Sequence, residues 1–408
     1  MSKEKISFGQ VWGLLRNSLE GQWHLWLLFI VMLSTSLLTI TSGATEVYKA
    51  GSMMPILKHV IFLIISFATC WLVAQFPSSF YRGLGLKIYS LFFFILLIWL
   101  IIYPRAINDA ARWVDLGLVT VQPSEFFKIC LILWGALVGS LSYDSNVEKR
   151  LYFNLFWIVS LLCIAVFLFK NASTGLLMGL FLGAYSLIIK MPFRLWRNWV
   201  MVVSFAGLIF AGTIAAIPND TLKKLPLINR GTVWKTRVAD MFREETEDAK
   251  YDIEQNTQEK LGQVALAHGS LTGLGIGSSK TRDFLPMAYT DYVLSIMIEE
   301  WGIIAYIFLV SYYVIWFILA GRIAQKERNR YRKLLVLGIG LFFPMQALVN
   351  IAVVSGLFVT GQTLPLISWG GTSLLVTATA MGMLISISRT QQEIDRLEQQ
   401  EATPRILM

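Results

Sequence analysis

Long apolar runs without any charged side chain dominate the chain. They occupy 25–45, 60–81, 88–104, 129–143, 151–169, 171–189, 198–219, 301–321 and 334–388. About 20 mostly apolar residues are needed for a helix to cross the ~30 Å hydrocarbon core of a bilayer. The last run is too long for one crossing and divides in two around Gly356, Gly361 and Pro365, while Pro123 predicts an earlier start for the short fourth run. The pattern therefore predicts an all-α polytopic membrane protein with ten transmembrane helices.

The polar segments between these runs predict the domain organisation. A leader, 1–22, precedes a first run that is too long for a typical signal peptide, which predicts an uncleaved first span. Residues 23–389 form the ten-helix domain, and 390–408 form a polar tail that is either a short helix or disordered. The segment 218–290, between spans seven and eight, is too long for a structureless loop, so we expect it to be partly helical. Its part 232–245 has apolar residues at partly helical spacing, which predicts an amphipathic helix on the outer surface.

Charge is scarce, and its distribution predicts the orientation. Charged residues make up 15% of the chain, against roughly 25% in soluble proteins. Lys and Arg cluster in the short segments that share a side with the N-terminus, which predicts cytoplasmic N- and C-termini and an extracytoplasmic 218–290. The net charge of +9 is thus a topology signal and needs no nucleic acid as a partner. The basic loop 322–333 contacts either anionic lipid or a cytoplasmic partner protein.

Ionisable groups within a span cost about 2.5–3.5 kcal/mol each on insertion scales, so each suggests a function. Three places stand out, and all lie where the chain meets the membrane from the predicted outer side. The first is 105–128. Its amphipathic middle places Arg112 and Asp115 one turn apart, and Glu125 and Lys128 share a helix face at i,i+3. An interfacial loop with a self-neutralising ion pair is the plainer alternative.

The second place is 285–302, where the chain returns to the membrane. Asp291 is predicted to start the eighth span, with Glu299 about 12 Å deeper at 1.5 Å per residue. Glu299 and Glu300 cannot both face one lipid surface, so at least one points into the bundle or a water-filled cavity. For Asp291 alone, a helix N-terminal charge favoured by the macrodipole is an equal alternative.

The third place is a glycine-rich stretch followed by Lys280 and Arg282. Flexible backbone beside two cations suits a phosphate group, although the spacing matches no phosphate-binding fingerprint and an ordinary loop is the plainer alternative. No His, Cys or carboxylate cluster in the sequence has the spacing of a metal site. The glycines are Gly269, Gly273, Gly275 and Gly277.

Together these motifs resemble the SEDS family (FtsW, RodA and SpoVE), the polytopic peptidoglycan polymerases of bacteria, over about 25–388. Four segments carry the resemblance. They are 111–128 (ARW and QPSEF-x-K), 256–277 (N-x-Q and the glycine run), 285–302 (LP, TDY and EE-x-G) and 346–373 (Q-x-x-x-N, TG and LP-x-x-SWGGTS).

Departures from the family pattern limit what carries over. Met287 and Tyr289 replace a Glu and a His, so neither is assigned a catalytic role, and 171–175 (NASTG) lacks the family's carboxylate. The variants at Gln362, Trp369 and Tyr289 favour the FtsW subfamily of Bacteroidetes-type bacteria over RodA.

The resemblance implies polymerisation of lipid II with inversion at the anomeric carbon. The family's catalytic Asp falls on Asp291, which is then the general base. The resemblance implies that Glu125 holds Lys128 and that Glu299 orders the cavity, and it adds Gln258 and Ser368 as candidate substrate-binding residues. The candidate pyrophosphate-binding cations are Arg112, Lys128, Lys280 and Arg282.

The resemblance also implies a cellular setting. The expected partners are lipid II, a class B penicillin-binding protein and other division proteins, at the cytoplasmic membrane of the division septum. No bound cofactor is implied, although a divalent cation (Mg²⁺ or Mn²⁺) at the pyrophosphate is an alternative for which the sequence shows no ligand set. The alternative functions are a RodA-like elongation polymerase, a lipid II flippase or transporter, and a scaffold that recruits a transpeptidase.

Overall fold

The computed structural model of this protein describes residues 23–43, 53–103, 105–107, 110–117, 120–144, 149–218, 235, 257–282, 284–285, 288–355 and 362–402. The helices in these ranges are α1 (Trp23–Gly43), α2 (Met54–Gln75), α3 (Leu84–Ile102), α4 (Pro123–Asp144), α5 (Lys149–Lys170), α6 (Ala172–Ile188), α7 (Phe193–Ala216), α8 (Thr257–Gly269), α9 (Val293–Trp301), α10 (Ile303–Lys326), α11 (Arg330–Val354) and α12 (Gly371–Ala402). The strands are β1 (Arg105–Ile107), β2 (Ala110–Asp115) and β3 (Thr120–Val121).

Nine helices of the described part are long and apolar enough to cross a membrane, which confirms a helical, multi-pass membrane protein. α4 begins at Pro123, as the sequence predicts. α6 is apolar but has 17 residues, which corresponds to about 26 Å. A total of ten spans requires α6 to cross as well, and this count stays a prediction.

The helices differ in how much of their surface lies inside the protein. In the most apolar stretches of α12, α4 and α11, 83%, 72% and 61% of the residues are buried, whereas in α7 only 6% are. α12 packs against α2, and α11 packs against α4 and α10. At the contact of α12 and α2, a Cβ on Gly382 would lie 2.7 Å from the Cys70 carbonyl oxygen, so only glycine permits this approach. α12, α4 and α11 therefore form the centre, and the exposed apolar face of α7 suits contact with lipid.

The expectation that Asp291 starts one continuous eighth span is wrong. Asp291 lies in a turn before α9, and α9 ends at Trp301 after nine residues. Gly302, with φ +70°, then separates α9 from the long helix α10. A Cβ at Gly302 would lie 2.4 Å from the Leu271 carbonyl oxygen, because the glycine-rich segment packs against this break.

The segment between α3 and α4 is a small sheet rather than an amphipathic helix. β1, β2 and β3 pair antiparallel in that order, and Gly117 N donates to Asp115 Oδ1 (2.9 Å) in the turn after β2. Arg112 and Asp115 both belong to β2, and a shift in the β1–β2 register leaves Arg112 as an extra, bulged residue of that strand. Arg112 and Asp115 are therefore not neighbours on one helical face, and the expectation of a helical pair is wrong. β2 packs against the ends of α3, α4 and α5.

The polar tail continues the last helix. α12 runs through Ala402, so residues 390–402 are helical. Apart from residue 235, the predicted surface helix 232–245 lies outside the described residues.

Candidate active site

Asp291 lies in the short turn before α9, with its side chain half-buried. Hydrogen bonds from two other segments help to hold the backbone of the turn: Asn350 Nδ2 donates to the Asp291 carbonyl oxygen (3.0 Å), and Trp369 N donates to the Tyr289 carbonyl oxygen (2.9 Å). Burial raises the pKa of the Asp291 carboxyl above its usual value, and the positive charge of Arg112 opposes that shift. A raised proton affinity is what a general base requires.

Arg112 reaches the same region from β2. Its side chain is half-buried, and its Nε atom is buried without a hydrogen-bond partner in the described part of the protein. A buried, unsatisfied donor is costly, typically by about 1–3 kcal/mol. An incoming phosphate or sugar oxygen would relieve this cost, so the orphaned donor fits the predicted substrate-binding role of Arg112.

Glu125 and Lys128 form a buried ion pair on α4. Lys128 Nζ lies 2.7 Å from both carboxylate oxygens of Glu125, and it also donates to Gln346 Oε1 (2.9 Å) on α11. The Lys128 side chain is 1% exposed. Its three donors are engaged inside the protein, so in this arrangement Lys128 acts on a substrate only through the groups that it holds. The pair predicted from the i,i+3 spacing is present.

Glu299 is completely buried at the end of α9 and is surrounded by donors. His268 Nδ1 lies 3.0 Å from its Oε1, the hydroxyls of Ser279 and Thr281 donate to its Oε2, and the amide of Lys280 donates to Oε1 at 3.3 Å. The carboxylate thereby orders the segment 279–281. This arrangement fits the prediction that Glu299 organises the surroundings of the site.

Glu300 is also buried and faces a different set of groups. Ser42 Oγ donates to its Oε2 (2.6 Å), and Arg282 Nη1 lies 3.6 Å from its Oε1. The same Arg282 nitrogen donates to the Ser42 carbonyl oxygen (2.6 Å). Both glutamates thus point into the protein, where the sequence required only one. Arg282 is 7% exposed and ties the loop to α1, whereas the neighbouring Lys280 side chain is exposed.

The glycine-rich segment packs against the end of α9. The amides of Leu274 and Gly275 donate to the carbonyl oxygens of Glu299 and Glu300, each at 2.9 Å, and so cap the helix. A Cβ on Gly273, which has φ +72°, would lie 2.3 Å from the Glu300 carbonyl oxygen. The glycines therefore permit a close backbone contact. This packing role agrees with the alternative that the stretch is an ordinary loop.

The segment 362–370 closes the site from the side of α11 and α12. Ser368 is buried, and its Oγ accepts from the Leu364 amide (2.7 Å), so it stabilises a turn of its own segment. The Trp369 ring lies between those of Tyr289 and His59, at centroid distances of 5.3 Å and 5.6 Å. This aromatic contact joins the Asp291 turn to α2.

A profile of the family that contains FtsW, RodA and SpoVE, described as cell cycle protein, matches residues 20–393. The chain belongs to this family. A probable peptidoglycan glycosyltransferase FtsW of Coxiella burnetii is 27% identical over 91% of this chain and 98% of its own length. A protein of the same name from Escherichia coli O157:H7 is 28% identical over 88% of this chain and 86% of its own length.

Two solved structures share the fold of this chain. Thermus thermophilus RodA, a rod shape determining protein, superposes with a TM-score of 0.64 at 20% identity, covering 92% of this chain and 99% of its own. A chain from a study of how a peptidoglycan synthase complex coordinates polymerization and crosslinking superposes with a TM-score of 0.67 at 20% identity, covering 91% and 99%. At these identities the likeness shows the fold alone.

The described acidic residues of this FtsW/RodA/SpoVE member do not form a metal site. Within the described ranges, no three His, Cys, Asp or Glu side chains are grouped to hold a metal ion. Glu125, Glu299 and Glu300 are engaged with their own donors, and Asp291 has Arg112 as a charged neighbour. A divalent cation that arrives with the pyrophosphate stays a prediction.

Some predicted residues cannot be placed, and some site residues were missed. The side chain of Gln258 and the whole of Met287 lie outside the described residues. The sequence pattern singles out Gln346 and Asn350 only as part of the Q-x-x-x-N motif, and it does not single out His268. The signal for the two amides was their position in a charge-free run, where a buried amide needs a partner.

Proposed function

We propose that this protein is a peptidoglycan glycosyltransferase that polymerises lipid II. The observation that carries the proposal is the half-buried Asp291 carboxyl in the turn before α9, with its raised pKa and the Arg112 charge nearby. Membership of the family and the names of its relatives support the same activity. A site at the boundary suits lipid-borne sugars, whose chains stay in the bilayer while their headgroups remain outside.

The reaction is a displacement with inversion. The 4-hydroxyl of the GlcNAc of one lipid II attacks the anomeric carbon of a second, and Asp291 takes the hydroxyl proton. The new bond to the anomeric carbon forms as the bond to the phosphate oxygen breaks, and the electron pair leaves with undecaprenyl pyrophosphate. Arg112 and the exposed Lys280 supply positive charge to the leaving group. Lys128 and Arg282 support the site from within the protein through Gln346 and Glu300.

Reconstitution of the purified protein in vesicles with labelled lipid II tests this function. We expect glycan strands from the unaltered protein and none from Asp291→Asn. Asp395→Asn makes the same chemical change at an exposed position of α12 and serves as the matched control. Transbilayer movement of lipid II without strand synthesis would instead support a flippase. A protein that makes no strands, moves no lipid II and yet binds a transpeptidase would support a scaffold. Strand synthesis by Asp291→Asn would reject the proposed base.

The proposed cellular role is septal wall synthesis at the cytoplasmic membrane, with both termini in the cytoplasm. The names of the FtsW relatives favour division over RodA-like elongation. A class B penicillin-binding protein is the proposed crosslinking partner, because a chain of the same fold comes from a complex that couples polymerization to crosslinking. Depletion in the native host separates the two roles: filamentation indicates division, and loss of rod shape indicates elongation.

A further inference from the structure

Two buried amide side chains lie one turn apart on α11. Gln346 and Asn350 are both 0% exposed, in a helix that otherwise presents mostly apolar side chains here. Gln346 Nε2 donates to the Thr363 carbonyl oxygen (2.8 Å), while its Oε1 accepts from Lys128. Asn350 Nδ2 donates to two carbonyl oxygens, those of Asp291 (3.0 Å) and Gln362 (2.5 Å). The same face of α11 therefore contacts both segments that border the site.

The orientation of the Asn350 amide follows from these partners. A primary amide carries two N–H donors on nitrogen and only acceptors on oxygen. Two carbonyl oxygens face the same end of the side chain, so the nitrogen must be placed there. Few other side chains satisfy two carbonyls at this distance without bringing a charge into the bundle. Buried carbonyls near the hydrocarbon region require such partners.

The contact matters because no regular secondary structure holds the backbone that carries Asp291. The residue lies in the turn before α9, and the helix begins at Val293. The turn is held on one side of Thr290 by the Trp369 amide, which donates to the Tyr289 oxygen, and on the other side by Asn350. Loss of the second contact would remove the hydrogen bond that α11 makes to the carbonyl oxygen of Asp291 itself.

We infer that Asn350 is a positioning residue for Asp291. It fixes the Asp291 peptide and, through Gln362, the segment that also presents Trp369 to the same turn. Gln346 makes a similar hydrogen bond to the Thr363 carbonyl oxygen of the same segment, and it also accepts from Lys128 of the Glu125–Lys128 pair. The buried pair on α4 and the reacting carboxyl are thereby joined through α11 by hydrogen bonds, although neither touches the other. The inference rests on the proposed role of Asp291.

The test is steady-state polymerisation by the purified protein with labelled lipid II. Asn350→Leu has a similar size and no donors, and Asn350→Gln keeps the donors on a side chain one methylene longer. Gln391→Leu is the matched control, because it removes another buried amide that donates to a carbonyl (Ile323 O, 2.9 Å), at the far end of α12. Asp291→Asn is measured in parallel.

We expect Asn350→Leu to lower kcat by about 10- to 100-fold, the scale that a misplacement of about 1 Å produces. KM should stay within about threefold, because substrate contacts are retained. Asn350→Gln should recover part of kcat, and Gln391→Leu should leave kcat unchanged. If Asn350→Leu does not fold, Asn350→Gln takes its place, and its kcat and KM are compared with those of the Gln391→Leu control.

Two results would overturn the inference. One is a kcat for Asn350→Leu close to that of the Gln391→Leu control while Asp291→Asn is inactive, which rejects Asn350 alone. The other is strand synthesis by Asp291→Asn, which rejects the base and, with it, any residue that positions the base.

Discussion

Lys128 forms a buried ion pair with Glu125 on α4, with its ammonium nitrogen 2.7 Å from each carboxylate oxygen. Removing one partner of a buried ion pair leaves an uncompensated charge and typically costs about 3–5 kcal/mol. We therefore expect Lys128→Met to lower the apparent unfolding temperature strongly and to abolish activity through loss of the folded site. The joint replacement Glu125→Leu with Lys128→Met should recover much of the stability, measured by thermal unfolding in detergent. A stable, correctly folded Lys128→Met protein would show that the fold does not depend on this buried pair.

The rate of polymerisation should depend on the ionisation of Asp291. A general base works only when deprotonated, and burial raises the pKa of this carboxyl above its usual 3.8. The rate should therefore fall as pH drops through that raised value, above the range of an ordinary aspartate. Arg112→Gln removes the charge that opposes the shift, so the acid limb of the pH–rate profile should move to higher pH. Arg322→Gln, at an exposed position near the end of α10, should leave the limb in place.

The Asp291→Asn protein should be at least as stable as the unaltered one at neutral pH. Because the folded-state pKa of Asp291 lies above the unfolded value, ionisation of this group disfavours folding. The cost is absent below the unfolded pKa, near 3.8, and is complete above the folded pKa. The gain in unfolding temperature of Asp291→Asn should therefore appear as pH rises through this window. A lower stability of Asp291→Asn at pH 7 would contradict the assigned direction.

Lys280 and Arg282 should behave differently, although both follow the glycine-rich segment. Lys280 is exposed, so Lys280→Gln should raise KM for lipid II and weaken the salt dependence of binding without changing the unfolding temperature. Arg282 is buried against Glu300 and the Ser42 carbonyl, so Arg282→Gln should lower the unfolding temperature. Parallel kinetics and thermal unfolding separate the two effects. A stable Arg282→Gln protein with a raised KM would instead place Arg282 on the substrate.

Two glycines of the same segment provide an internal comparison. Gly273 and Gly277 both have positive φ, and alanine in such a conformation costs about 1–2 kcal/mol. At Gly277 a Cβ would meet no atom within 4 Å, whereas at Gly273 it would lie 2.3 Å from the Glu300 carbonyl oxygen. Gly273→Ala should therefore lower the unfolding temperature clearly more than Gly277→Ala. Equal effects would show that the segment moves away from α9 at little cost.

The membrane helices could be predicted from the sequence because apolar runs and their breaks report directly on burial in lipid. The Glu125–Lys128 pair could also be predicted, because i,i+3 spacing on a helix is a local relationship. The sheet that contains Arg112 could not be predicted, because this amphipathic stretch is too short for its hydrophobic periodicity to distinguish a strand from a helix. The contacts of Asn350 with Asp291 and of His268 with Glu299 could not either, because they join residues that are distant in the chain and depend on how the helices pack.

The length of α12 links the two sides of the membrane mechanically. Its 32 residues correspond to about 48 Å, well beyond the ~30 Å of hydrocarbon that it has to cross. One end begins at Gly371, two residues after Trp369, whose amide holds the turn of Asp291, and the other end continues as polar helix to Ala402. A tilt of this rod by about 5° around its midpoint displaces each end by about 2 Å, which is comparable to the misplacement that impairs catalysis. A displacement of the polar helical tail would therefore reach the turn that carries Asp291.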